Sequence, residues 1–171
     1  MRSVTKEWCA VSYFAAAFAR RGGDWLATEI DLDDAEGVEG VAEAAAEVDA
    51  DDGIVVVLVE EEEWFGVVRV EPDEDPRVFV SDGAEAGRTP VGGTLVSEIA
   101  ADYLDDDEVP VSGRGVALPA EPLGEAGLLD DLGASAETLN RLAGATSTTP
   151  ADAVAEIAER IGFVDVLETV R

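Results

Sequence analysis

Four consecutive glutamates, Glu60 to Glu63, run directly into Trp64 and make the densest chemistry in the chain. Carboxylates in such a run could do one of two things. They could hold a hard cation such as Ca²⁺ or Mg²⁺ through oxygen ligands. They could also present closely spaced negative charge to a basic groove on a partner. The run lies between two apolar segments, Ile54 to Val59 and Trp64 to Val70, so it reads as the tip of a hairpin. Successive residues of a strand point to opposite faces, so four in a row do not converge on one ion. A solvated tip is the plain alternative to both readings. The candidate interaction set is therefore Glu60, Glu61, Glu62, Glu63 and Trp64, with no metal ligands and no cofactor assigned.

Other residues with chemical potential point less sharply. The acidic runs at 49–52 and 105–108 lack the alternating carboxylates, glycine and distant glutamate of a calcium loop, and read as loop and linker. Ser112-Gly-Arg-Gly115 lacks the spacing and the lysine of a phosphate loop. Trp25 and Trp64 sit in alternating segments, where packing competes with stacking on a ligand. Arg69 and Arg77 either bridge neighbouring strands to acids or line an anion site. The chain has no histidine and a single cysteine, Cys9, so a general base would have to be a carboxylate, a tyrosine or the terminal amine. No nucleophile–base pair is legible, and no enzymatic activity is expected.

The charge balance limits the partners. Thirty-nine acidic residues against eleven basic ones give a formal net charge of −28. Such a surface repels phosphate backbones and anionic membranes, so direct nucleic-acid binding and membrane binding are not expected. It favours a basic partner. One cysteine excludes a disulfide within the chain. The near-apolar run from Trp8 to Ala19 is too short to span a bilayer. It has the flanks of a signal peptide, but reads better as a strand entering the Gly22-Gly23 turn, and a cytoplasmic location is expected.

The elements that must position these residues follow from periodicity. Val11 to Arg20 and Trp25 to Ile30 read as two strands joined by a tight turn at Gly22-Gly23, because glycine supplies the positive φ such turns need. Asp31 to Asp34 can cap a helix whose apolar face is Val38, Val41, Ala45 and Val48. Ile54 to Val59 is apolar on both faces and reads as a central strand. Trp64 to Glu71 places Trp64, Gly66, Val68 and Val70 on one face and Arg69 and Glu71 on the other. Arg77 to Ser81 is a further strand, and Val91 to Tyr103 a closing helix. The fold class is α+β: an antiparallel β-sheet in the order ββαβββ(α), followed by a C-terminal region of short helices. Those helices start at Ser135 and at Thr149-Pro150, where Thr caps and Pro occupies the first helical position, and a last short helix carries Phe163, Leu167 and Val170. The expected organisation is an α+β domain over 11–104, an acidic Pro/Gly linker over 105–122 and the helical region over 123–171.

Two motifs carry a family likeness: the Trp64-Phe65 pair after the acidic run, and Asp75-Pro-Arg-Val-Phe-Val-Ser-Asp82. With Leu128-Leu-Asp-Asp-Leu-Gly133 in the tail, the chain resembles the actinobacterial tRNA adenosine deaminase-associated protein family. The resemblance covers most of 11–103 and, more loosely, the tail. It implies an accessory or regulatory role beside the tRNA adenosine deaminase as partner, and carries no catalytic or binding residues. The chain is not the deaminase, because a zinc deaminase needs histidine or cysteine ligands with H-x-E and P-C-x-x-C motifs. The ββαβββα order is also similar to that of profilin-like and roadblock-type binding scaffolds, which leaves a scaffold or signalling module as the alternative function. The likeness begins at Val11, a residue whose codon can start translation, and Lys6-Glu7 can be encoded as a ribosome-binding sequence. Residues 1–10 are therefore expected to be a non-native extension. The oligomeric state is not legible.

Overall fold

The computed structural model describes residues 13–32, 37–48, 50–51, 53–72, 74–89, 91–96, 111–112, 115–116, 121–144 and 148–170. The expectation for residues 1–10 lies outside them.

Strands β1 (Phe14–Arg21) and β2 (Asp24–Glu29) form the expected hairpin, with Gly22 and Gly23 at φ of 63° and 88° in its turn. Both values suit glycine and match the twist of the flanking strands. Helix α1 (Gly37–Ala46) buries Val38, Val41 and Ala45; the capping run expected before it lies partly outside the described residues. β3 (Val55–Glu60), β4 (Phe65–Val70) and β5 (Arg77–Val80) then form an antiparallel meander, as expected from three strands with short connections. A short helix α2 (Gly83–Ala86), not anticipated from the sequence, is capped by Asp82, whose carboxylate accepts from Glu85 N–H at 3.1 Å. Of the helix expected over 91–103, residues 91–96 are helical (α3) and 97–103 lie outside the described residues.

Chain return brings β3 against β1, so β1 is paired on both sides, with Ala17 opposite Thr28 of β2 and Val57 of β3. The six-stranded sheet has the order β2-β1-β3-β4-β5-β8, where β8 (Leu123–Gly124) pairs with β5. Leu123, expected to open the helical region, instead adds the sixth strand. A separate small hairpin, β6 (Val111–Ser112) and β7 (Gly115–Val116), lies within the segment expected as linker.

Both faces of the sheet are covered, which explains why β3 is apolar at every position from Val55 to Val59. Val55, Val57 and Val59 face α1 and α3, against Val41, Ala45 and Leu95. Val56 and Leu58 face the C-terminal helices. These are a 3-10 helix (Ala126–Leu132), α4 (Ala136–Gly144), α5 (Pro150–Ile161) and α6 (Val164–Val170). Each is too short to be stable alone, and each contributes buried side chains to the second face: Leu129, Leu139, Ile157 and Leu167 are at most 1% exposed. Fully burying one such side chain is worth about 1.5–3 kcal/mol. Phe163 anchors the group. Its ring stacks on Phe18 of β1 at 4.1 Å and 11°, and meets the edge of Trp25 of β2 at 5.0 Å. The end signals read from the sequence hold: the Thr149 hydroxyl accepts from Asp152 N–H at 3.1 Å, and Gly162 ends α5 at φ 108°.

Candidate functional site

The acidic run sits where the β3–β4 hairpin turns. Glu60 ends β3, Glu61 to Glu63 form the turn, and Glu61 N–H donates to the Trp64 carbonyl at 2.9 Å to close it. The four carboxylates do not act as one group. Glu62 and Glu63 are exposed, while Glu60 and Glu61 are half-buried. The Glu61 carboxylate accepts from the Thr89 hydroxyl at 2.8 Å. Burial pushes its pKa above the ordinary value, opposed by the Thr89 hydroxyl and the Trp64 indole N–H. Among the described residues no group of three or more His, Cys, Asp or Glu is placed to hold a metal ion.

Trp64 lies beneath this tip, 1% exposed, in the core between the sheet and α3. Its ring is therefore not presented at the surface; it holds the tip from below. Gly66 makes the space for it, since a Cβ there would stand 2.8 Å from the Trp64 ring and 3.0 Å from Leu95. The buried indole N–H is near enough to act on the Glu61 charge but completes no hydrogen bond of ordinary geometry. On the other side of the tip, Glu60, Glu61 and Glu62 line a shallow hollow of about 340 Å³ with Phe14 and the start of α5 at Thr149, Pro150 and Ala151.

The second concentration of charge is internal. Arg69 and Arg77 stand directly opposite each other on β4 and β5, a like-charge placement that costs stability unless acids intervene. Glu71 does so. One of its oxygens lies 2.5 Å from Arg69 Nε and 2.9 Å from Arg77 Nη2. At Arg69 Nε the contact is an ion pair. Arg69 is 4% exposed and reaches across to the C-terminal region. It donates to the Leu128 carbonyl at 2.7 Å and to both oxygens of Asp131, at 2.5 and 3.0 Å. Arg77 donates to Glu125 at 3.0 Å. The Arg69 guanidinium holds the Asp131 carboxyl below its usual range. Glu71 is held low, first by a hydrogen bond with Glu74 and then by Arg69, while Glu74 is raised. Of the two roles open to these arginines, the bridging one is what they perform.

The sequence placed Arg69 and Glu71 on one face of β4 but could not supply Asp131, 62 residues away. The three motifs that carried the family likeness meet here. Trp64 and Phe65 pack on opposite faces of the sheet. Ser81 N–H donates to the Phe65 carbonyl, and the Ser81 hydroxyl accepts from Phe65 N–H, each at 2.9 Å. Leu128 and Asp131 hold Arg69.

A family model described as Rv3753c-like tRNA adenosine deaminase-associated protein matches residues 13–164. No curated protein and no solved structure matches the chain. No helix among the described residues is long and apolar enough to cross a membrane.

Proposed function

We propose a role that starts from one fact: the chain belongs to the Rv3753c-like tRNA adenosine deaminase-associated protein family. The role is that of a non-catalytic accessory protein in the cytoplasm that binds the tRNA adenosine deaminase through acidic surface. The observation that carries it is this family match, joined to a net charge of −28 on a chain with no histidine. An enzyme that handles tRNA must present positive charge to a phosphate backbone. A strongly acidic protein is complementary to that surface and is steered towards it. In this reading Glu62 and Glu63 make the outer contacts of the β3–β4 tip, Glu60 and Glu61 flank them, and Trp64 keeps the tip rigid. Occupying the basic surface would compete with tRNA or keep the enzyme soluble.

The test is co-purification of the tagged chain with the deaminase from its own cells at low and at moderate salt. Recovery should fall as salt rises, because surface charge attraction is screened within about 8 Å at physiological ionic strength. Recovery that is indifferent to salt would defeat the acidic contact. No recovery at either salt would defeat the association itself. The Glu62→Gln/Glu63→Gln pair should lower recovery without changing the melting temperature.

A further inference from the structure

Among the described residues the sheet ends at β2. Ile30 N–H donates to the Ala15 carbonyl at 3.0 Å, and Glu29 stands opposite Ala16. Backbone direction alternates along an antiparallel strand. Thr28 and Leu26 therefore turn their peptide groups towards β1, as Ile30 does, while Trp25, Ala27 and Glu29 turn theirs outward. Four residues of this edge, Trp25 to Thr28, carry neither charge nor proline, the devices that usually guard an edge strand.

The two faces of β2 are treated differently. On one, α6 packs against the strand and Trp25 meets Phe163. On the other, α1 lies over β3 and β4. A cleft of about 580 Å³ is left between β2 and the end of α1, floored by Leu26, Thr28, Ile30, Ala44 and Val48. Leu26 is 44% exposed, the one large hydrophobic side chain so exposed among the described residues. The rim holds three acids, Glu29, Asp31 and Glu47, against one base, Arg21.

We propose that β2 and this cleft form a strand-addition site for an extended segment of a partner protein that alternates apolar and basic residues. The outward peptide groups of Trp25, Ala27 and Glu29 supply the ladder. An apolar side chain of the segment covers Leu26 and Val48; its arginines or lysines, which alternate to the other face of the added strand, meet Glu29 beside Trp25 and Ala27, and Glu47 adds its charge from the rim of the cleft. A second copy of this chain fits less well, because β2-to-β2 pairing would set one acidic rim against another. The accessory role above is needed only to say which protein carries the segment.

The test is fluorescence anisotropy of a labelled peptide of alternating Arg and Val added to the full chain. A peptide with the same arginines and proline at alternate Val positions is the control. The Arg–Val peptide should bind saturably and the proline peptide should not. Ala27→Pro, which removes an outward N–H that β1 does not use, should weaken binding about tenfold or more, equivalent to about 1.4 kcal/mol. Glu29→Lys/Glu47→Lys changes two exposed side chains and should do the same, which keeps the test decisive if the proline variant misfolds. Equal binding of the two peptides would mean diffuse charge attraction and overturn the site, as would no binding of either. A dimer in sedimentation that Ala27→Pro disperses would overturn it in favour of a second copy. With the deaminase as bait, equal recovery of wild type and Glu29→Lys/Glu47→Lys overturns the deaminase as carrier of the segment and leaves the accessory role standing. Specific peptide binding without any deaminase recovery overturns the accessory role alone.

Discussion

Replacing Arg69 tests whether the internal charge network holds the C-terminal region to the sheet. In Arg69→Met the apolar stem is kept and the guanidinium lost. The Leu128 carbonyl then loses a charge-assisted hydrogen bond of 2.7 Å, worth about 1.5–3 kcal/mol. The Asp131 pair adds little, about 0–1 kcal/mol, because its carboxylate is 64% exposed and well solvated. Glu71, 12% exposed, keeps Arg77 but loses its nearer cation. The first two parts come to about 1.5–4 kcal/mol, and the stranded charge of Glu71 adds to them, which brings the loss to the range of about 3–5 kcal/mol expected when one partner of a buried ion pair is removed. For a chain of this length that is a fall in melting temperature of very roughly 6–20 °C. Urea unfolding at neutral pH, followed by circular dichroism, gives the free energy. Asp131→Asn, measured beside it, should cost no more than about 1 kcal/mol. If the two substitutions cost the same, or Arg69→Met costs less than Asp131→Asn, the load is not where the geometry places it. Replacing Arg69 and Glu71 together by apolar residues should recover part of the loss, since the pair itself is expensive to desolvate.

Other expected outcomes follow from single contacts. Phe163→Ala removes the ring between Phe18 and Trp25 and should cost about 3–5 kcal/mol, with faster amide exchange concentrated in α4 to α6. Gly133→Ala should cost at least about 1–3 kcal/mol in the same unfolding assay: φ there is 122° and a Cβ would stand 2.5 Å from the Arg160 carbonyl oxygen. Glu61 binds its proton more tightly in the folded state, so its ionised form opposes folding at neutral pH. Stability should therefore rise as pH falls through its folded pKa towards the ordinary 4.5, and Glu61→Gln should abolish that rise without loss at pH 7. Asp131 has the opposite sign: its contribution is present above the ordinary 3.8 and lost as pH falls through its lower folded value, so Asp131→Asn should flatten acid unfolding there.

Most strands could be read because each face of this sheet meets an apolar layer. Alternation in β4 placed Trp64, Val68 and Val70 on the α1 face, and the uninterrupted run in β3 announced a strand covered twice. Caps were equally legible at Ser135 and Thr149, whose hydroxyls each accept from an N–H three residues on. What stayed hidden depends on distant contacts. β8 is two residues with no period of its own, and exists because the Phe79 and Val80 backbone is there to pair with. The C-terminal helices showed their apolar stripes, but nothing in the stripes named the sheet face they cover. The β2 cleft was hidden for the same reason: Leu26 looks like any strand residue until α1 is seen to leave it uncovered.

The motifs on which the likeness was read are occupied in holding the fold. Trp64 and Phe65 fill opposite cores, Arg77 and Ser81 lock β5 to its neighbours, Asp82 caps α2, and Leu128 and Asp131 receive Arg69. A substitution at the buried ones, Trp64, Phe65, Ser81 or Leu128, should weaken association with a partner only by weakening the protein, and the two losses should track each other across a series. Residues free to change association alone must lie where the fold makes few demands: Glu62 and Glu63 at the tip, or Glu29 and Glu47 beside β2, all exposed. Binding that falls at unchanged melting temperature is thus the signature to seek, and it separates the two surfaces. Tip variants leave the β2 edge intact, and edge variants leave the tip intact. Whichever pair uncouples binding from stability marks the face that the partner sees.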